Sequence, residues 1–303
     1  MRSLNHGGLE PYISSPRLNT YRSFFNPADD VELFGCYLWS KEVAAAFFPL
    51  LQVLEITLRN AIHKEARLAL GPYWFDNIAI RPTHNLFRTQ ASAQQRAVNQ
   101  HTRSIQSARD SIRRDLGLRP SAQIQEDRIV AKVTFGFWTN LFNSAFDVNR
   151  NAQALWPNLL RPVFPNTPRR ARGRNTIQSK LVVIRGFRNK AFHHEPIWNI
   201  GQPATVQDAM TRLNDTKELI VEVIRWISLD SEALAHKAGY IKAINRVCSI
   251  EHLEYLKNPG RHDLPLSRVK RELNGLLCAS NRNSTIDITR NGVKVGKLLH
   301  VRY

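Results

Sequence analysis

Apolar residues recur at helical spacing through the first part of the chain. Between residues 37 and 70 they fall three or four positions apart over many turns, which predicts a long core helix. Pro49 is expected to kink or divide this helix, and Gly71 with Pro72 is expected to end it. The positions expected in the core are Leu38, Val43, Phe47, Leu50, Leu51, Leu54, Leu58 and Ile62.

The same periodicity predicts further helices downstream. They cover residues 126–142, about 175–194, 206–228 and most of 231–277. In the second of these, Ile177, Leu181, Ile184 and Ala191, joined by Val183 and Phe187, form the expected apolar face. That helix should end near His194, because Pro196 pushes Glu195 out of the α region.

The C-terminus changes to a period of two. Apolar and polar residues alternate on both sides of Asn291-Gly292, the favoured centre of a type I′ turn, so a two-stranded hairpin is predicted from about residue 285 to 300. The predicted fold class is therefore mainly α, with a basic helical insertion and a C-terminal β-hairpin.

Three parts are expected along the chain. Residues 1–30, rich in Pro, Asn and Ser, are predicted to form an extended N-terminal arm. Residues 31–228 are predicted to form a helical domain that includes the basic helical segment 81–119. Residues 229–303 are predicted to form a C-terminal helical segment that ends in the hairpin.

Charge is the strongest compositional signal. Lys and Arg number 43 against 25 Asp and Glu, a formal net charge of +18, and Arg is the commoner cation. Such a field attracts polyanions, and the guanidinium fork binds phosphate, so RNA is the expected partner, although a general compositional bias would give the same excess. The candidate RNA-binding residues are Arg88, Arg96, Arg103, Arg169, Arg170, Arg172 and Arg174. A solvated basic helix would explain segment 81–119 equally well.

Other features restrict the functional class. Cys36, Cys248 and Cys278 lie far apart with no CxxC pair, which argues against a disulfide framework and a structural zinc knuckle. No N-terminal signal is visible and no apolar run is long enough to span a bilayer. We expect a soluble, cytoplasmic protein with no membrane partner and no cofactor.

Polar residues that can do chemistry interrupt two of the apolar helices. Glu55 and Arg59 are i and i+4 neighbours on the first long helix. Burying either charge unpaired would cost several kcal/mol, so they should pair with each other or with groups from another helix. Near the end of the 175–194 helix, Asn189 and His193 are about 40° apart around the axis, whereas Arg188 is about 140° from His193.

Three interpretations of this second group remain open. In a ribonuclease, a His would exchange protons with the ribose 2′-hydroxyl or the leaving 5′-oxygen, and Arg188 would stabilise charge on the phosphoryl oxygens. In a metal site, His193, His194 and Glu195 would be ligands, although adjacent residues on a helix point about 100° apart. In the third interpretation the polar residues only terminate a helix.

Three segments resemble a known family. Arg188-Asn189 followed by His193 resembles the R-x4-6-H motif of HEPN-domain ribonucleases. The segments "LEITLRNAI" (54–62), "TFGFWTNLF" (134–142) and "RGFRNKAFHHEPIW" (185–198) together resemble the Abi-like abortive-infection proteins of bacteria. Phe192 departs from the small residue often found before the motif His.

The resemblance implies an all-α HEPN-like helical bundle, commonly a homodimer, and metal-independent RNA cleavage that leaves a 2′,3′-cyclic phosphate. It implies a toxin-like defence against phage, for which an antitoxin would be a possible further partner. Structured RNA such as tRNA is the natural expectation for a basic helical surface. The alternative is a non-catalytic, RNA-binding or regulatory HEPN protein. The implied catalytic residues are Arg188, Asn189 and His193, and the implied supporting residues are Glu55, Arg59, Asn60, His194 and Glu195.

Overall fold

The computed structural model describes residues 8–82 and 87–258 and the backbone of two strands near the C-terminus. The described residues form a mainly helical fold, which confirms the predicted class. The helices are α1 (Glu10–Ile13), α2 (Ser15–Phe25), α3 (Asp30–Leu70), α4 (Arg88–Leu116), α5 (Glu126–Lys132), α6 (Phe135–Asn140), α7 (Leu160–Val163), α8 (Arg174–Phe192), α9 (Val206–Ile227), α10 (Leu229–Lys237), α11 (Tyr240–Val247) and α12 (Ile250–Lys257). The strands are β1 (Thr285–Arg290) and β2 (Val293–Leu299).

Helix α3 is the centre of the fold. It is continuous over 41 residues, and Pro49 lies inside it without dividing it. Asp29 caps its first turn, because its carboxylate accepts a hydrogen bond from the Glu32 backbone N–H at 2.9 Å. The predicted core positions of α3 are buried except Leu38, which is 48 % exposed. Helices α2, α9, α11 and α12 pack around α3.

The N-terminal residues are helical rather than extended. Leu18 and Tyr21 of α2 are fully buried, and Phe24 stacks on Trp198 with ring centroids 4.5 Å apart. The Tyr21 hydroxyl also hydrogen-bonds Ser40 of α3 at 3.0 Å. The predicted extended arm is therefore wrong for residues 10–25, because the aromatic and apolar side chains of α2 bury themselves in the core.

Segment 81–119 contains one long helix, α4, as predicted. The stretch 126–142 instead forms two helices, because Val133 and Thr134 adopt extended backbone angles between α5 and α6. The predicted helix over 206–228 is confirmed as α9, whose first turn has a capping box between Thr205 and Asp208.

The described residues up to Lys257 form one compact unit, and residues from 258 onwards form a second. The predicted boundary at residue 229 falls inside the first unit, because α10 and α11 pack on α9 and α3. In the second unit β1 and β2 pair antiparallel, from Thr285 opposite Leu299 to Arg290 opposite Val293. Residues 259–284 and the predicted turn at 291–292 lie outside the described residues.

Candidate functional site

The C-terminal part of α8 lies against the middle of α3 and brings two predicted residues together. Arg188 Nη2 is 3.8 Å from Glu55 Oε2, with side chains 25 % and 28 % exposed. The rings of Phe48 on α3 and Phe192 on α8 are 5.2 Å apart beside this pair. Of the two predicted alternatives, pairing of Glu55 with Arg59 or with a group on another helix, the structure shows the second, and the group is Arg188.

Burial, neighbouring charges and a cation–π contact act on the two members of this pair. Burial raises the pKa of Glu55, and the charges of Arg188 and Arg59 and a hydrogen bond to the backbone of Phe135 offset this only in part. The Arg188 guanidinium lies 3.9 Å from the centroid of the Phe192 ring. Its Nε is buried and has no hydrogen-bond partner among the described residues. An unpaired buried N–H costs about 1–3 kcal/mol, so Arg188 is held with one donor unused.

Helix α8 ends in a Schellman motif centred on His194. The His194 backbone N–H donates to the Ala191 carbonyl at 3.2 Å, and the Glu195 N–H donates to the Lys190 carbonyl at 2.9 Å. His194 has φ +58°, a left-handed conformation that costs a residue with a Cβ about 1–2 kcal/mol. The helix therefore ends at Phe192, earlier than the predicted His194, and His193 becomes its C-cap.

The other predicted site residues are not joined to the Glu55–Arg188 pair. Asn189 and His193 are exposed, and neither side chain makes a hydrogen bond or ion pair with another residue in the described part of the chain. Arg59 Nε donates to Asn60 Oδ1 at 3.2 Å, and the Glu195 carboxylate accepts from Lys190 Nζ at 3.0 Å. Within one chain, Glu55 and Arg188 are thus paired, whereas the side chains of Asn189 and His193 have no partner among the described residues.

The outer face of α8 that leads to His193 is partly apolar. Val182 and Val183 are 46 % and 53 % exposed, so the prediction that Val183 belongs to the buried face is wrong. Gly186 is also exposed, with no atom within 4 Å of the place a Cβ would occupy. Val182, Gly186, Asn189 and His193 follow one another at i, i+4, i+7 and i+11, a single stripe along the helix.

The predicted RNA-binding arginines fall into two groups. Arg88, Arg96, Arg103, Arg169 and Arg170 are exposed, and Arg172 is exposed while its Nε donates to the Thr167 carbonyl at 3.0 Å.

Arg174, by contrast, is buried and fully engaged. Its Nε lies 2.8 Å from Asp147 Oδ2, and its Nη1 donates to Gln178 Oε1 at 2.6 Å and to the Phe142 carbonyl. The prediction that Arg174 contacts RNA is therefore wrong, because its guanidinium holds the start of α8 onto the preceding loop.

A second polar cluster lies on α3 that the sequence reasoning missed. His63 Nδ1 accepts from Trp74 Nε1 at 3.1 Å, and His63 Nε2 lies 3.4 Å from Asp127 Oδ1. Arg67 Nε lies 3.5 Å from Glu126 Oε2, a carboxylate that is only 6 % exposed. His63 is four positions after Arg59 and eight after Glu55. Continuing the i+4 spacing of Glu55 and Arg59 along α3 would therefore have pointed to His63 as a third polar residue on the same face.

In residues 8–82 and 87–258, no group of three His, Cys, Asp or Glu side chains is close enough to hold a metal ion. No described helix has the length and apolarity needed to cross a bilayer. Cys36 and Cys248 are buried free thiols, and burial raises the pKa of each to about 12, whereas Cys278 lies outside the described residues.

Comparison with known proteins confirms the resemblance of the sequence to Abi-like proteins. The model of one protein family, described as Abi-like protein, matches residues 8–199, which include α3, α6 and α8 and hence both halves of the site. No curated protein and no solved structure matches the chain. Because the match covers well over half of its length, the chain belongs to the Abi-like protein family, whose name points to abortive infection, a defence against phage.

Proposed function

We propose that this protein is a metal-independent RNA endonuclease of the HEPN type that acts as a toxin-like effector in abortive infection. The observation that carries the proposal is the Glu55–Arg188 pair, with the buried, unpartnered Arg188 Nε, five residues before the exposed His193. A cation held in place with an unused donor is what a phosphoryl group with growing negative charge requires. The net charge of +18 and the Abi-like family membership agree with this role.

In the proposed reaction His193 removes the proton of a ribose 2′-hydroxyl. The 2′-oxygen then bonds to phosphorus, the bond from phosphorus to the 5′-oxygen breaks, and the 5′-oxygen takes a proton, leaving a 2′,3′-cyclic phosphate. Arg188 stabilises the charge on the non-bridging oxygens. Glu55 keeps Arg188 in place, Arg59 adds positive charge near Glu55, and Asn189 orients the phosphate.

We further propose that the active form is a homodimer in which the α8 helices of two copies cross. The support is the exposed stripe of Val182, Gly186, Asn189 and His193, where apolar side chains and a glycine without a Cβ allow close approach of a second helix. A two-fold axis would place the same stripe on both sides of the interface and bring two copies of His193 together. One could then act as base and the other as acid.

The test is cleavage of end-labelled RNA by purified protein in EDTA, with identification of the product ends. We expect the wild-type protein to cleave the RNA and to leave a 2′,3′-cyclic phosphate. We expect His193→Ala to be inactive. Because His193 is exposed, the variant should melt at the wild-type temperature. Cleavage that disappears with the metal ions would contradict the proposal.

A non-catalytic RNA-binding protein is the second candidate. It is favoured by the fact that no described residue orients the His193 side chain. It predicts that His193→Ala leaves RNA integrity and growth inhibition unchanged, while loss of exposed arginines abolishes binding. Structured RNA such as tRNA is the proposed ligand for either function, and an antitoxin and a cytoplasmic location are part of the same proposal.

A further inference from the structure

A polar groove runs along α4, beside the break between α5 and α6. It has a volume of about 740 Å³ and is open to solvent. The α5–α6 side contributes Lys132 and Thr134, and α4 contributes a row that includes Arg96, Asn99, Gln100 and Arg103. Among the described residues that line the groove none is acidic and none is aromatic. Its walls therefore offer positive charge and hydrogen-bonding groups but no surface on which a base could stack.

Two arginines of α4 bring unpaired positive charge to this groove. Arg96 and Arg103 make no hydrogen bond or ion pair with other described residues. Of the arginines nearer the end of α4, Arg109 pairs with Asp76 at 2.5 Å and Arg113 with Asp110 at 3.4 Å, and Arg114 donates to the Asp110 backbone carbonyl at 3.4 Å. An anion in the groove would thus meet two guanidinium groups whose charge no carboxylate neutralises.

Helix α6 connects the groove to the Glu55–Arg188 site. Thr134 lines the groove, and the next residue, Phe135, makes a backbone hydrogen bond to Glu55. Asn140 Nδ2 at the other end of α6 donates to the Ala97 carbonyl of α4 at 2.8 Å, which fixes α6 against the groove wall. One wall of the groove is therefore one residue away from the backbone group that contacts Glu55, the partner of Arg188.

We propose that this groove binds the sugar-phosphate backbone of a single-stranded RNA segment next to the site of cleavage, a proposal that rests on the function proposed above. Arg96 and Arg103 contact phosphates, and Asn99 and Gln100 contact 2′-hydroxyl groups, which both donate and accept hydrogen bonds. The two arginines are seven residues apart, about 10 Å along the helix axis. At about 3.4 Å per nucleotide in a stacked strand, this spans about three nucleotides.

The chemistry of the walls favours one strand over a duplex. A basic groove that follows one backbone is the arrangement used by proteins that bind single strands. Without aromatic side chains among the described lining residues, the bases are not read by stacking, so little sequence preference is expected. The amides that face the 2′-hydroxyls make RNA the preferred strand over DNA.

The test measures binding in the full chain carrying His193→Ala, so that no substrate is lost to cleavage. Fluorescence anisotropy is followed over a salt series with single-stranded RNA of about 12 nucleotides, a typical site size, and with DNA of the same sequence. Adding Arg96→Ala and Arg103→Ala is expected to weaken RNA binding about tenfold and to lower the salt slope by about 1.4, because each lost phosphate contact removes about 0.7. Binding to DNA should be weaker from the start.

The matched control adds Arg114→Ala and Arg119→Ala, which remove the same charge from exposed positions outside the groove. It should leave affinity and slope near those of the His193→Ala chain. Three results would each overturn the groove proposal. They are an equal loss of RNA affinity in the groove variant and in the control variant, equal affinity for RNA and DNA, and no RNA binding at all. If RNA binding depends on the groove but the wild-type chain does not cleave RNA, the proposed nuclease function would be overturned and the groove proposal would be supported.

Discussion

Helix α3 carries two polar clusters, and they differ in how many ion pairs hold them together. In the His63 cluster, Trp74, Arg67, Glu126 and Asp127 surround a side chain that is only 15 % exposed, although neither buried oxygen of Glu126 has a hydrogen-bond partner among the described residues. In the Glu55–Arg188 site the ion pair is about a quarter exposed, Arg188 Nε has no partner among the described residues, and Asn189 and His193 face solvent.

This difference separates a structural cluster from a candidate active site. Both clusters place charges on an otherwise apolar helix, so the cost of burying them is similar in kind. The His63 cluster brings two carboxylates within 3.9 Å of His63 and Arg67, whereas the Glu55–Arg188 site has one ion pair and leaves the exposed Asn189 and His193 for a substrate or a second chain. Residues in the first cluster should therefore affect stability, and residues in the second should affect activity.

The largest expected effect is on the rate of RNA cleavage. It is tested by substituting one arginine from each cluster. Arg188→Ala should lower the rate of RNA cleavage about 10²–10³-fold, the usual cost of removing a donor that stabilises transition-state charge. Arg67→Ala, whose side chain is 52 % exposed, should leave cleavage within a few fold of wild type. Single-turnover cleavage of labelled RNA measures both, and equal losses would show that the two clusters do not differ in function.

The next effect is on stability and should appear in the other cluster. His63→Ala leaves the fully buried indole N–H of Trp74 without its acceptor, which should lower the free energy of unfolding by about 1–3 kcal/mol. His63→Gln keeps an acceptor and should lose less. Thermal melting, with a cleavage assay on the protein that remains folded, checks this prediction. A His63→Ala protein that melts at the wild-type temperature but no longer cleaves RNA would contradict the structural role of the His63 cluster.

A smaller effect is expected in the pH profile. Burial raises the pKa of Glu55, so as pH falls this carboxylate gains a proton earlier than an ordinary glutamate and stops attracting Arg188. Cleavage should therefore decline on the acid side at a pH above the usual range of a glutamate. In Glu55→Gln that acid limb should be absent and the rate at neutral pH lower. An unchanged profile in the variant would remove Glu55 from the account.

The smallest expected effect separates the two histidines. His194→Gly places a glycine in a left-handed position that normally favours one, so the free energy of unfolding should rise by about 1 kcal/mol. Cleavage should persist, because the turn that exposes His193 is kept. Denaturant unfolding measures the change in stability, and the cleavage assay measures activity, with His193→Ala as the comparison. Loss of cleavage in His194→Gly alone would assign the acid-base role to His194.

The long helices could be predicted from the sequence because their periodic faces extend over many turns. Apolar spacing over 37–70 and 206–228 identified α3 and α9, and the polar interruptions at Glu55 and Arg188 identified the site. Short helices escaped the same reasoning. In α2 the Pro, Asn and Ser content hid the spacing of the two side chains that are buried, Leu18 and Tyr21.

Long-range partners could not be predicted from local patterns. Arg174 stands in a run of arginines that is typical of a basic loop, yet its carboxylate partner, Asp147, lies 27 positions earlier. His63 likewise owes its role to Asp127, which only the folded chain brings near. The Abi-like family match spans both clusters of α3, so it does not distinguish between them either.

The most direct test of the account is chemical rescue of Arg188→Ala. If Arg188 acts through its guanidinium on a phosphoryl group, adding guanidinium chloride at millimolar concentration should restore part of the RNA cleavage that the variant loses. Sodium chloride of the same ionic strength should restore none, and guanidinium should not rescue His193→Ala. Cleavage by Arg188→Ala at the wild-type rate before any addition would contradict the claim that the Glu55–Arg188 site is the catalytic centre.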